Sequence, residues 1–178
     1  MKIKEMYSEF DYGIDIGKYF YIVELSEFGI EKDSDKIFEL CSQNKNILFK
    51  GDLFTDGKEL NLLINKLYKN DPSINVYIEL DPVRLLKIKQ NVTYNIKIRK
   101  DYIYNFDIIE TYSKKNSRFI VPLDFIIDFL GMHFVPKEKV YILIEELNYN
   151  ILNFCYSKTY NFLYNFEMIK EIKNKPEG

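Results

Sequence analysis

The sequence predicts an α/β protein with a parallel sheet, closed either as a partial (β/α)6 barrel or as an open doubly wound sheet. Three observations carry that expectation. Short β-branched or aromatic runs alternate with helix-period stretches roughly six times, and parallel strands need helical crossovers of this kind. The 178 residues suffice for one domain with a sizeable core. No linker, repeat or low-complexity tract interrupts residues 1–175, which read as a single domain, and only the Pro-Glu-Gly tail at 176–178 looks loose.

Tyr19–Leu25 is dense in β-formers and reads as the first strand. An amphipathic helix follows near Asp33–Gln43, where Ile37, Leu40 and Cys41 share a face. Asn46–Phe49 is a short buried strand. Thr55 is placed to cap a helix in which Leu60, Leu63, Ile64 and Leu67 recur at helical spacing. Asp71-Pro72 ends that helix, because the residue before proline is driven out of the α region. Ile74–Leu80 forms the third strand, and Asp81-Pro82 is expected to open a short helix with proline at its first position. Val92–Ile98 alternates as the fourth strand.

Asn105–Ser113 reads as helical and Arg118–Pro122 as the fifth strand. Asp124 is expected to cap a helix running to Leu130 and ending at Gly131. Lys139–Ile144 is the last strand expected. A long final helix is expected over Tyr149–Lys173, with Leu152, Cys155, Phe162, Phe166 and Ile169 facing the core. Tyr149, Tyr156, Tyr160 and Tyr164 run along a second stripe of that helix. The stripe reads either as an interface, where aromatic residues are enriched, or as ordinary surface tyrosine in a chain that holds 15 of them.

Composition excludes several functions. Lys+Arg is 25 against Asp+Glu 27, a net charge of -2, so a broad electrostatic grip on nucleic acid or anionic membrane is not expected, although a local basic patch is allowed. Alanine and tryptophan are absent while Ile, Lys, Asn, Tyr and Phe abound, a bias that reads as codon usage in an AT-rich genome. No apolar run of about 18 residues offers a membrane span, and the opening residues lack the apolar core of a signal peptide. The two cysteines, Cys41 and Cys155, are unclustered and suit a reducing compartment, so a cytoplasmic protein is expected. Two cysteines also fall short of the three thiolates that a cysteine-ligated [4Fe–4S] cluster needs from one chain, so no such cluster, no metal and no other cofactor is expected.

Both closures of the sheet place function at the carboxyl ends of the strands. Those ends supply Lys50-Gly51-Asp52, Glu79 with Asp81, and Lys97 with Arg99, together with Glu27, Asp124 and Glu145-Glu146. Charges of both signs around one rim suit a small polar ligand.

These rim residues and the order of elements resemble the radical S-adenosylmethionine superfamily, specifically its 7-carboxy-7-deazaguanine synthase branch. Lys4-Glu5-Met6-Tyr7 followed by Gly13 and Gly17 is similar to the family's opening segment and glycine loop, of which only the last glycine is kept. Lys50-Gly51-Asp52-Leu53 occupies the place of the family's Gly-Gly-Glu-Pro motif, which holds the amino group of S-adenosylmethionine. Tyr77–Asp81 is similar to the family's third-strand Ile-Glu-Thr-Asn-Gly, and Asn95-Ile96-Lys97 sits where the family has Ser-Pro-Lys. Phe119–Pro122 and Val140–Leu143 look like its fifth and sixth strands. The resemblance implies a partial barrel, a homodimer and an ancestral cluster loop after the first strand. That loop departs from the pattern: Leu25 passes through Ser26-Glu27-Phe28-Gly29-Ile30 straight into a helix, with no cysteine triad. Without a cluster no electron reaches the sulfonium, so radical chemistry is not expected.

The expectation is therefore a non-catalytic relative that binds a protein partner or a small ligand. The rival is an enzyme with altered, cluster-independent acid–base chemistry on a purine-like or nucleotide substrate. Asp52 would accept hydrogen bonds from a ligand's amino group, or it merely serves a strand-to-helix turn. Lys50 in place of a glycine argues against a sulfonium cofactor by charge and bulk. Glu79 and Lys97 read as a paired acid and base or as a structural ion pair. Glu145-Glu146 with Asp124 would suit magnesium or a solvated loop, and His133 reads as a hydrogen-bonded edge residue.

Overall fold

A computed structural model describes residues 8–11, 14–15, 21–25, 30, 32–50, 57–100, 104–144 and 161–164. Their order is β1 (Ser8–Asp11), β2 (Ile14–Asp15), β3 (Tyr21–Glu24), α1 (Ser34–Cys41), β4 (Asn46–Lys50), α2 (Lys58–Asn70), β5 (Asn75–Leu80), β6 (Thr93–Lys97), α3 (Phe106–Ser113), β7 (Ser117–Pro122), α4 (Ile126–Met132), β8 (Val140–Ile144) and β9 (Asn161–Tyr164). The nine strands form one sheet in the order β2-β1-β9-β8-β7-β6-β5-β4-β3. Every neighbouring pair from β3 to β9 is parallel. Strand β1 runs antiparallel to both β9 and β2. With β3 at one edge and β2 at the other, the sheet is open.

Of the two expected closures, the open parallel sheet is the one that the described strands form, although its strand order lacks the reversal of a doubly wound sheet. A doubly wound sheet reverses its strand order at a switch point and carries helices on both faces, whereas β3 to β9 succeed one another without reversal. All four helices accordingly pack in one core. Ile37 and Cys41 of α1, Leu60, Ile64 and Leu67 of α2, Ile109 and Tyr112 of α3, and Phe129 of α4 join Val23, Phe49, Ile78, Ile96, Phe119 and Ile142 from the sheet. Strand side chains alternate between faces, so the intervening residues lie on the face opposite the described helices.

Most expected elements coincide with the structure to within two residues at their ends, β1 and β2 have no counterpart in the expectation, α2 is capped by Gly57 and not by Thr55, and three further expectations differ for local reasons. Asp81-Pro82 opens no helix: residues 81–92 form an irregular connection that tertiary contacts hold in place. Tyr112 Oη donates to the Arg84 carbonyl at 2.8 Å and accepts from the Leu86 amide at 2.9 Å. Asn61 on α2 donates to the Lys87 carbonyl at 2.8 Å and accepts from the Lys89 amide at 2.7 Å. Gly57, before α2, adopts φ +76°, and a Cβ there would come 2.8 Å from Leu86 Cδ1. The positive φ favours glycine at the start of α2, and the Leu86 methyl would have to shift to admit a Cβ.

Asp124 makes no cap. Residues 123–125 form a single 3-10 turn, no side chain caps α4, and Asp124 pairs instead with Lys100 at 3.2 Å. The helix runs through Gly131 to Met132. Finally, residues 161–164 are strand β9 where the sequence predicts helix. Asn-Phe-Leu-Tyr is a short apolar run whose period does not separate strand from helix, and pairing to β8 and β1 on its two sides decides the matter. The other segments of the expected final helix lie outside the described residues.

Candidate functional site at the strand ends

The sheet face opposite the described helices is built by the residues that alternate with the core. Parallel register places Glu24 beside Lys50 and brings Lys50 next to Glu79. Glu79 faces Asn95, and Asn95 faces Arg118. A polar row thus crosses five strands, Glu24–Lys50–Glu79–Asn95–Arg118. It is bordered on one side by the apolar cluster of Ile22, Leu48 and Tyr77 and on the other by Ile120 and Leu143 with Tyr141. Asp81 and Lys97 stand one step nearer the carboxyl ends, and Arg99 lies beyond them.

Three members of the row are buried: Glu79 is 4%, Asn95 1% and Arg118 7% exposed. Arg118 Nε donates to Asn95 Oδ1 at 3.0 Å. The guanidinium also lies 4.8 Å from the Tyr77 ring centre and 4.9 Å from that of Tyr141, so two π faces and an amide hold the buried cation. At the rim, Arg99 Nε lies 3.1 Å from Asp81 Oδ1, an ion pair without hydrogen-bond alignment.

Glu79 is the uncompensated member. Lys50 Nζ sits 4.0 Å from its Oε2 and 3.8 Å from Glu24 Oε1, so one ammonium is shared by two carboxylates. Neither Glu79 oxygen accepts a hydrogen bond from the described residues. Burial pushes its carboxyl above the ordinary range. Lys50 and Lys97 pull the other way, and Glu24 and Asp81 add to the rise. A buried acceptor without donors costs free energy, and such groups concentrate where ligands bind.

The structure brings together Lys50, Glu79, Asp81, Lys97 and Arg99, five of the six strand-end candidates that lie among the described residues, while the sixth, Asp124, pairs with Lys100. Gly51 and Asp52 lie outside them, as do Tyr149, Tyr156, Tyr160, Glu27 and Glu145-Glu146. Tyr164 falls in β9, between β8 and β1, and not on a helical stripe. The expected direct pair of Glu79 and Lys97 is replaced: the ammonium within 4 Å of Glu79 is Lys50, and Lys97 acts from farther away. Asn95, Arg118, Glu24, Tyr77 and Tyr141 were not singled out from the sequence. The period-two phase that links Asn95 to Lys97 and Tyr77 to Glu79 is the signal that locates two of them.

Two further features lie away from this face. Cys41 is fully buried in the helix-side core, where burial pushes its thiol up to about 12. A concavity of about 610 Å³ lies between α3 and the end of α4, lined by Phe106, Ile109, Glu110, Met132, His133 and Phe134. His133 is buried there between the rings of Phe106 and Phe129, and burial pushes its pKa down. It is a core imidazole and not the hydrogen-bonded edge residue expected. Among the described residues, no three His, Cys, Asp or Glu side chains converge as metal ligands. Comparisons with protein families, with characterised proteins and with solved structures find no match for the chain.

Proposed function

We propose that the chain acts by binding a small polar ligand on the sheet face opposite the described helices, on a cluster-free scaffold of radical S-adenosylmethionine type. The observation that carries this reading is Glu79, a buried carboxyl with no donor among the described residues, set in a row of charged and amide side chains. The sequential parallel order with the four described helices on one face supports a partial β/α barrel, whose inner face would be this one. Carboxylates accept from a ligand's N–H or O–H groups, and the neighbouring lysines and arginines complement its acidic groups.

Thermal-shift screening against pterins, deazapurines, nucleotides and other small polar metabolites tests the reading, because a ligand stabilises the folded state by mass action. The expected result is a hit that Glu79→Gln abolishes. No hit at all overturns it in favour of a protein partner or self-association. Anaerobic iron reconstitution with EPR checks the scaffold claim, and a stoichiometric [4Fe–4S] signal overturns it. A second reading, acid–base chemistry on a purine-like substrate, is favoured by the raised Glu79 carboxyl beside the Lys50 ammonium. Turnover of the bound hit, lost in Glu79→Gln, distinguishes the two.

A further inference from the structure

Resting on that binding site, we propose that its ligand is a compact zwitterion, a small molecule carrying an amino group and a carboxylate. Glu79 receives the ammonium and Lys97 the carboxylate.

The charge inventory leads to this class. Among the described residues the face holds three carboxylates, Glu24, Glu79 and Asp81, and four cations, Lys50, Lys97, Arg99 and Arg118. Lys50 is engaged by Glu24 and Glu79, and Arg99 by Asp81. Arg118 is engaged by Asn95 and two tyrosine rings. Lys97 has no carboxylate within 4 Å among the described residues, although it is near enough to bear on the Glu79 carboxyl. Its side chain is half-buried, and it follows Asn95 in the phase that faces this side of the sheet. One acceptor without donors and one cation without an ion pair therefore share a face.

Geometry makes the pair addressable by one small molecule. Glu79 faces Asn95 across adjacent strands, and Lys97 lies two residues beyond Asn95. Strand spacing and rise then put the two Cα atoms roughly 8 Å apart. The Glu79 oxygens are closed to solvent in the unliganded chain, so a short molecule that bridges the two charged ends must open the face locally.

Singly charged ligands fit less well. A simple cation at Glu79 would meet the Lys50 ammonium 4.0 Å from the same carboxylate, with Lys97 beyond. A simple anion at Lys97 would meet Glu79 and, on the neighbouring strand, Asp81. A divalent metal ion would face two lysines with a single buried carboxylate to hold it. A zwitterion places each charge against its complement and adds no net charge to a face that already carries both signs. Its ammonium also supplies the donors that the Glu79 oxygens lack.

The test uses the full chain in thermal-shift and calorimetric titrations with glycine, β-alanine, γ-aminobutyrate and 5-aminovalerate. Each is compared with the alkylamine and the carboxylic acid of matching length. The expected result is that at least one zwitterion raises Tm by about 3–6 °C at ten times its Kd, while its single-charge analogues at the same concentration do not. Glu79→Gln and Lys97→Met each weaken binding at least about tenfold, the loss of one charged contact. The Tm of each variant without ligand reports its folding, and Lys66→Met, on α2, serves as a distant control that binds normally.

Equal response to a zwitterion and its amine overturns the assignment of Lys97 while leaving a Glu79 binding site standing. A response that survives Glu79→Gln overturns the proposal, because the ligand is then held elsewhere. No response to any member of the series also overturns it. The broader metabolite screen then decides the binding reading separately.

Discussion

Replacing Glu79 by glutamine separates what this residue costs the fold from what it offers a ligand. The carboxyl is 4% exposed, accepts no hydrogen bond from the described residues and has its nearest ammonium 4.0 Å away. At that distance the attraction is about 4 kcal/mol for an effective dielectric of 20, but Glu24 shares the same ammonium at 3.8 Å. Against it stand a desolvation penalty of several kcal/mol and missing hydrogen bonds worth about 1–3 kcal/mol. Burial outranks the two lysines in setting the direction of the carboxyl's shift, so the charged form is destabilised on balance.

Glutamine keeps the shape and removes the ion, and Lys50 retains Glu24. Glu79→Gln is therefore expected to stabilise the unliganded protein by about 1–2 kcal/mol near neutral pH. For a chain of this size that is a Tm increase of about 2–8 °C. The sign of the pH dependence follows from linkage. The folded carboxyl binds its proton more tightly than the unfolded chain does, so stability falls as pH rises from the ordinary value of 4.5, and the penalty is complete above the folded value. The gain from Glu79→Gln is thus largest at pH 7.5 and vanishes towards pH 4. Thermal melts of both proteins across that range check it. A lower Tm for the variant at pH 7.5, or a gap independent of pH, refutes the reasoning.

Two other expectations follow from the core. Tyr112→Phe removes two of the hydrogen bonds that fasten the 81–92 connection and leaves the Leu86 amide without its partner; the cost is about 1–3 kcal/mol, and hydrogen exchange of that amide accelerates. Cys41, with its thiol pushed up to about 12, stays unalkylated by iodoacetamide at pH 8 in the folded protein and reacts once urea unfolds it, as peptide mass spectrometry distinguishes.

The strand-end candidates were legible because charge at the close of an apolar run stands out: Lys50 after Ile47–Phe49, Glu79 and Asp81 around Leu80, Lys97 and Arg99 around Ile98. What the sequence withholds is register. Nothing local says that Asn95 faces both Glu79 and Arg118, or that Tyr77 and Tyr141, from strands on either side, close on one guanidinium; those facts belong to pairings between distant segments. The same limit explains the mistaken helices. Pro82 satisfies a helix-start rule, yet Tyr94 and Tyr112 supply hydroxyls that hold an irregular path, and tertiary contacts override local preference. Phe162-Leu163 fits either period until β1 and β8 are known to flank it.

The place of β9 has a consequence for how the chain acquires its structure. From β3 to β8, each strand joins a neighbour made shortly before it, so the sheet can grow in the order of synthesis. The pairing of Phe10 with Phe162 breaks that order, because β1 is made early and must wait for nearly the whole chain before its partner exists. Until then β8 presents an unpaired edge, the condition in which strands pair with other chains. Aggregation during expression, and its suppression by slower synthesis or a holdase, would then report on a single late event, the capture of β9 between its two neighbours.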